Sequence, residues 1–92
     1  MLTMLKRRGG NVKMKELKEL LLTVVKALVD SPEKVEVKEV GGEQSLILEL
    51  RVADTDRGKV IGKEGRIIRA VRTIVGCAAA KLGKRVVIEV IE

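Results

Sequence analysis

Two glycines, Gly62 and Gly65, interrupt a helical pattern of apolar residues that runs from residue 54 to residue 82. Glycine weakens helix interiors and readily adopts left-handed backbone conformations, so the pair predicts a sharp turn between two helices. The first helix is short and covers residues 54–61, and the second covers residues 66–82. A helix–turn–helix of this kind needs another layer to cover its apolar side.

The second helix is predicted to have one apolar and one basic side. The residues expected to face inward share a spacing of three or four and are Ile67, Ala70, Val71, Ile74, Ala78 and Leu82. Those expected to face outward are Arg66, Arg69, Arg72 and Thr73. Cys77 is predicted to be a buried small apolar residue. Asp54 or Thr55 is the predicted N-cap of the first helix.

The remaining sequence supplies the second layer. Residues 14–29 have helical spacing, whereas residues 35–38, 46–52 and 84–92 alternate as strands, with a turn at the glycine pair 41–42. The predicted inward residues of these elements are Leu17, Leu20, Leu21, Val24, Leu28, Leu46, Leu48, Leu50, Val52, Val86, Ile88 and Val90. The order α-β-β-α-α-β predicts an α+β domain with three helices packed on one face of a three-stranded sheet.

A chain of 92 residues has room for one domain, which is predicted to cover residues 14–92. Residues 1–13 lack a sustained period and are expected to be a flexible basic tail or to result from a mis-assigned translation start. No apolar stretch reaches the roughly 18–20 residues that span a bilayer, so we expect a cytoplasmic protein with no membrane partner.

Missing residue types exclude several functions. The chain has no histidine and one cysteine, so it cannot form an internal disulfide, a usual zinc site or a histidine-activated nucleophile. We therefore predict a protein that is not an enzyme and that uses neither a metal nor a cofactor. It also has no Phe, Tyr or Trp, which removes the aromatic platforms on which many single-strand-binding proteins stack bases.

Positive charge coincides with the glycine pair. The formal net charge is +6, and residues 54–85 contain nine Lys or Arg and three Asp or Glu. Such a basic segment favours a polyanionic partner such as nucleic acid. The segment is not a P-loop, because three residues separate Gly58 from Gly62 and Glu64 follows Lys63. It also lacks the spacing of a dinucleotide-binding fingerprint.

The text Ile61-Gly62-Lys63-Glu64-Gly65-Arg66-Ile67-Ile68 between two helices resembles the loop of a KH domain, and the order of elements resembles the type II arrangement. The resemblance extends to the bacterial single-KH proteins of the KhpA type. It is carried by residues 14–17, 42–45 and 48–53 and by residues 58–66, and it covers essentially the whole of residues 14–92.

This resemblance implies binding of single-stranded RNA with low sequence specificity, in a post-transcriptional regulator or RNA chaperone linked to cell division and cell-wall regulation. It also implies a homodimer or a heterodimer with a KhpB (Jag)-like KH protein. The candidate RNA-binding residues are Lys59, Ile61, Gly62, Lys63, Glu64, Gly65, Arg66, Ile68 and Arg69.

Simpler interpretations of these residues remain open at this point. The glycines could form a plain helix–helix turn, the arginines a solvated helix face, and Lys59 an ordinary surface residue; Ile61 and Ile68 could be groove floor or core. The alternative function is a protein-interaction or dimerisation module in which RNA binding is incidental.

Overall fold

The computed structural model describes residues 14–41 and 45–91 and contains the predicted order of elements. The helices are α1 (Met14–Leu28), α2 (Arg57–Ile61) and α3 (Arg66–Ala80), and the strands are β1 (Glu36–Gly41), β2 (Ser45–Arg51) and β3 (Arg85–Ile91). Short 3₁₀ turns at Pro32–Lys34, Asp54–Asp56 and Lys63–Gly65 precede β1, α2 and α3. The predicted tail 1–13 and the second glycine of the predicted turn, Gly42, lie outside the described residues.

The three strands form a mixed sheet in the order β1-β2-β3. β1 and β2 pair antiparallel, with Val37 opposite Leu50, so the predicted hairpin is confirmed. β2 and β3 pair in parallel, with Leu48 beside Ile88. Parallel pairing follows from the connection, because α2 and α3 carry the chain back across the sheet before β3 begins.

One face of the sheet carries the core, and all three helices contribute to it. Alternate residues of β2, namely Leu46, Leu48 and Leu50, are buried as predicted, and the intervening ones point to the other face. The helices add Leu17, Leu21, Val25, Val60, Ile68, Val71, Val75 and Ala79, and the flanking strands add Val37 and Ile88. The predicted α+β class with helices on one face is therefore confirmed.

The predicted inward side of α3 is only partly right: Val71 is buried and Ile67 and Ala78 are partly buried against the core, but two of the predicted residues are exposed. The buried residues of this helix are Ile68, Val71, Val75 and Ala79. Ala70 and Ile74, predicted to face inward, are exposed, and so is Cys77, predicted to be buried. The helix has apolar residues on more than one side, so its spacing alone fits two orientations, and packing against α1 and β3 selects one of them.

The predicted N-cap at Asp54 or Thr55 is also wrong. A 3₁₀ turn begins at Asp54, whose carboxylate instead lies 3.5 Å from Arg57. Asp56 is 1% exposed, and its carboxylate accepts the backbone N–H groups of Asp30 at 3.2 Å and Ser31 at 3.0 Å. Asp56 therefore joins the end of α1 to the start of α2 and satisfies two backbone donors there.

Two absences hold for the part of the chain that the structure describes. Among residues 14–41 and 45–91, none of the helices combines the length and apolar character needed to cross a bilayer. Within the same residues, no cluster of three or more His, Cys, Asp or Glu could hold a metal ion.

Candidate nucleic-acid interface

The loop between α2 and α3 is built on left-handed glycine backbone. Gly62 ends α2 with φ 79° and ψ 170°, and its N–H donates to Gly58 O at 2.9 Å. Gly65 has φ 74° and ψ 16°, and its N–H donates to Gly62 O at 3.0 Å, one residue before α3 begins. The turn predicted from the two glycines is confirmed, since both positions need a backbone that other residues rarely adopt.

Gly62 has a second constraint that Gly65 lacks. A Cβ atom at position 62 would lie 2.6 Å from Ile67 Cγ1 and 2.9 Å from Ile67 N, so the loop rests directly on the first turn of α3. The nearest atom to a Cβ at position 65 is Ile68 Cγ2, at an ordinary contact distance of 4.0 Å. Ile67 was not among the candidate site residues, and its contact with Gly62 holds the loop against the helix.

The tip of the loop consists of Lys63 and Glu64, both exposed. Glu64 has φ 58° and ψ 26°, a left-handed conformation that costs a residue with a side chain roughly 1–2 kcal/mol. Positive φ thus occurs at Gly62, Glu64 and Gly65. The N–H groups of Gly62, Gly65 and Arg66 donate to carbonyl oxygens of the chain, so attraction of an anion here rests on the positive end of the α3 dipole and on nearby basic side chains. The turn can therefore receive phosphate oxygens.

Three exposed basic side chains belong to the turn and to the start of α3. Lys63 lies at the tip, Arg66 is the first residue of α3, and Arg69 follows one turn later, all three exposed. The side chain of Lys59 forms an ion pair with Asp30 beyond the end of α1, with 3.4 Å between Lys59 Nζ and Asp30 Oδ2. That ion pair is largely exposed and therefore weak, so Lys59 remains available to a stronger anion.

The two isoleucines of the motif lie beneath the loop. Ile68 is 5% exposed and belongs to the core, and Ile61 is partly buried against that core. Both side chains anchor the loop to the domain, and Ile68 has almost no surface to offer a ligand. Of the two interpretations kept open for Ile68, groove floor or core, the structure places it in the core.

A side-chain contact joins α3 to β3 beside a small pocket. Arg72 Nη2 donates to Ile88 O at 3.2 Å, and Arg72 lines a small pocket with Val86, Val87 and Ile88. The contact is not visible in the sequence, but its cause is simple. Arginines three residues apart on a helix are rotated by about 60° from one to the next, so the third member of the series reaches the flank beside β3.

A different side of α3 is apolar and exposed. Ala70, Ile74 and Cys77 lie on it at helical spacing, and Ile74 is 52% exposed. We call these three residues the α3 apolar face. Its members are separate from the loop glycines and from the pocket beside β3.

Together, a Gly-x-x-Gly turn between two helices and the order of elements in a three-stranded α+β domain define a KH domain. A family model described as "KhpA/KhpB, KH domain" matches residues 18–90, and the chain belongs to this family. The family resemblance noted in the sequence is thereby confirmed.

Curated relatives named "RNA-binding protein KhpA" share most of their length with this chain. The relative from Clostridium acetobutylicum is 60% identical over 75 residues, covering 82% of this chain and all of its own length (100%). The one from Caldanaerobacter subterraneus is 59% identical over 73 residues, covering 79% and 97%. That from Aquifex aeolicus is 49% identical over 79 residues, covering 86% and 100%. No solved structure matches the chain significantly.

The names of these relatives describe binding and not a reaction. They agree with the prediction, made from the residue types, that the protein is not an enzyme.

Proposed function

We propose that this protein binds single-stranded RNA with low sequence specificity through the turn between α2 and α3. The observation that carries the proposal is the Gly62–Gly65 turn, whose left-handed backbone lies among the exposed side chains of Lys63, Arg66 and Arg69. The names of the curated relatives support RNA as the ligand.

The strand's phosphates would pass over the glycines, because the absence of side chains there lets the sugar–phosphate backbone approach the turn closely. Lys63, Arg66 and Arg69 add attraction that does not depend on sequence. About four nucleotides would extend toward β3, whose pocket residues Val86 and Val87 offer aliphatic contacts in place of aromatic stacking. We expect affinity of a lone domain in roughly the micromolar range.

Fluorescence anisotropy with a short single-stranded RNA and with its duplex tests this proposal. We expect saturable binding of the single strand and weaker binding of the duplex, because the bases of a duplex are paired and stacked and cannot turn toward the pocket beside β3. Absence of single-strand binding at low salt would refute the proposal. Binding of the duplex as tightly as the single strand would show that charge alone holds the RNA and that the pocket beside β3 is not used.

We further propose that RNA binding serves post-transcriptional regulation or an RNA-chaperone activity in the cytoplasm, linked to cell division and cell-wall regulation. The family resemblance supports this role. Crosslinking the bound RNAs in cells, followed by sequencing, tests it: transcripts of division and cell-wall genes should be enriched over those bound by a variant with Lys63→Asp and Glu64→Asp, which is expected to stay folded.

A second candidate function is pairing with another KH protein, either a second copy or a KhpB-like partner. The exposed α3 apolar face favours it, because an aliphatic side chain that is half exposed on a helix gains free energy when a partner covers it. The matching family model, which describes both KhpA and KhpB, supports the choice of partner. A stoichiometric pulldown with and without RNase separates this function from one in which RNA bridges the proteins.

A further inference from the structure

A second pocket of the domain lies along the outer edge of β1, at the opposite edge of the sheet from β3. It has a volume of about 400 Å³ and is lined by α1, by residues 35–38 and by Glu49 and Arg51 of β2. We infer that this edge receives an extended acidic segment of a partner protein, which pairs with β1 as an additional strand. The inference goes beyond RNA binding, because the pocket is lined by elements other than the glycine turn and α3.

The lining of this pocket comes from both faces of the sheet. Val35 and Val37 are buried on the helix side, whereas Glu36 and Lys38 are exposed. β1 pairs with β2 along one side, and its other side is an edge of the described sheet. Backbone N–H and C=O groups on such an edge can pair with another chain, and the side chains above and below then contact the added strand. A pocket that borders the edge on both faces therefore fits an extended segment.

The helix side of the pocket determines which side chains the added strand would carry. Lys18, Leu22 and Lys26 are four residues apart and form one stripe of α1 that lines the pocket. The two lysines are separated by about 12 Å along the helix axis. In a strand, residues four apart lie on the same face at a separation of about 13 Å. The stripe therefore matches a segment with acidic residues at its first and fifth positions and an aliphatic residue at its third.

The other face of the pocket is balanced in charge. Glu36 lies opposite Arg51 in the ladder between β1 and β2, and Lys38 lies opposite Glu49. Opposite charges on facing strands attract each other, so these four side chains add no net charge, and the excess comes from the two lysines of α1. The two glutamates would repel phosphates, which a nucleic acid carries at every nucleotide. A peptide can keep its acidic residues on the helix side, so it fits this edge better.

A nuclear magnetic resonance titration of the full chain with a designed peptide tests the inference. The probe is the capped peptide Thr-Glu-Thr-Val-Thr-Glu-Thr, whose glutamates have the spacing of the two lysines. We expect saturable shifts of the backbone amide signals of residues 36–41, with a dissociation constant of about 1 mM or lower. A peptide with lysine in place of both glutamates should bind about tenfold more weakly. A peptide with proline in place of the two inner threonines lacks their N–H donors and should not pair with the edge.

Charge reversal on α1 tests the same contact from the protein side. Lys18→Glu with Lys26→Glu should lose the acidic peptide and should bind the lysine peptide about tenfold more tightly than wild type does. Lys81→Glu makes the same kind of change at an exposed position after the end of α3, so it is the control that should keep the wild-type preference. If the double variant fails to fold, Lys26→Glu, at an exposed position of α1, decides the matter.

Three outcomes would overturn the inference and leave RNA binding at the glycine turn intact. The first is a lack of shifts in the β1 amides with the acidic peptide, or equal binding of the acidic and lysine peptides. The second is a single-stranded RNA that shifts the same amides at lower concentration than the peptide does, which would make this edge a nucleic-acid site. The third is a shift of these amides with protein concentration alone, which would assign the edge to a second copy of the chain.

Discussion

Gly62 lies so close to Ile67 that a Cβ atom on the glycine would be 2.6 Å from Ile67 Cγ1. The loop that offers its backbone to a ligand is therefore held in place by a contact with the helix that follows it. This contact makes the two glycines of the motif unequal, although the sequence pattern treats them alike.

Replacing Gly62 with alanine should cost more stability than replacing Gly65. In Gly62→Ala the alanine would have to adopt a positive φ, and its Cβ would clash with Ile67. We therefore expect a loss of about 2–4 kcal/mol in the free energy of unfolding. In Gly65→Ala the alanine would adopt a positive φ without a clash, so the free energy of unfolding should fall by about 1–2 kcal/mol. Urea denaturation measures both values.

Gly58→Ala provides the control for this comparison. Gly58 lies within α2, and a Cβ there would meet nothing within 4 Å, so the substitution should leave stability unchanged or raise it by up to about 1 kcal/mol. Equal losses for Gly62→Ala and Gly65→Ala would contradict the role given to Ile67.

Changing both tip residues to aspartate should separate folding from binding. Lys63 and Glu64 are exposed, and aspartate tolerates the left-handed backbone of position 64, so Lys63→Asp with Glu64→Asp should change stability by about 0.5 kcal/mol or less. The phosphate site would lose one positive charge and gain a negative one, which should weaken RNA binding by about tenfold or more. Circular dichroism checks that the variant is folded, and fluorescence anisotropy measures its RNA affinity. A folded variant that binds RNA as wild type does would exclude the loop from the interface.

Removing the Asp56 carboxylate should destabilise the domain without touching the loop. Asp56→Ala leaves the N–H groups of Asp30 and Ser31 without their acceptor, which should cost about 2–4 kcal/mol. Asp56→Asn keeps one acceptor oxygen and should cost less. Asp54→Ala, at a highly exposed position, should change stability by about 0.5 kcal/mol or less. Chemical denaturation of the three variants should give this order, and a neutral Asp56→Ala would show that water replaces the carboxylate.

RNA affinity should depend strongly on salt. If two to four phosphates are neutralised, a plot of log K against log salt concentration should have a slope of about −1.4 to −2.8 for single strands. Anisotropy titrations over a range of KCl concentrations provide the slope. In Arg66→Met the slope should be less steep by the amount expected for the loss of about one phosphate contact. A flat response in wild type would favour the protein-interaction alternative.

A charge on the α3 apolar face should block protein pairing and spare RNA binding. Ile74 is 52% exposed, so Ile74→Glu should leave the fold intact while placing a carboxylate in any interface that covers this face. Analytical ultracentrifugation alone and with a KhpB-like protein should show loss of association. Thr73→Glu, one residue away and also exposed, is the control that should retain it. Unchanged association in Ile74→Glu would place the partner elsewhere.

Strands of this domain are easier to orient from sequence than its last helix. Strict alternation made Leu46, Leu48 and Leu50 predictable, because a strand has only two sides. In α3, Ile74 was assigned to the wrong side, because apolar residues around much of the helix fit more than one orientation.

The contacts that connect distant parts of the chain were beyond sequence reasoning. Asp56 accepts a hydrogen bond from Ser31, which lies 25 residues before it in the sequence. Arg72 donates one to Ile88, which lies 16 residues after it. The glycine turn, in contrast, was predictable because its geometry is local, and so was the basic side of α3, since Arg66, Arg69 and Arg72 are all exposed. Their RNA-binding role remains a prediction.

The parallel ladder between β2 and β3, which runs from Ser45 beside Arg85 to Arg51 beside Ile91, has a consequence for how binding depends on folding. Residues so far apart in the chain pair only after the intervening segment is organised, so one wall of the pocket beside β3 forms late and at the cost of loop closure. Amide protons of β3 that bond to β2 should then exchange with solvent mainly through global unfolding. Their exchange rates would report the fraction of molecules able to bind, and apparent affinity should decline only when that fraction falls well below one.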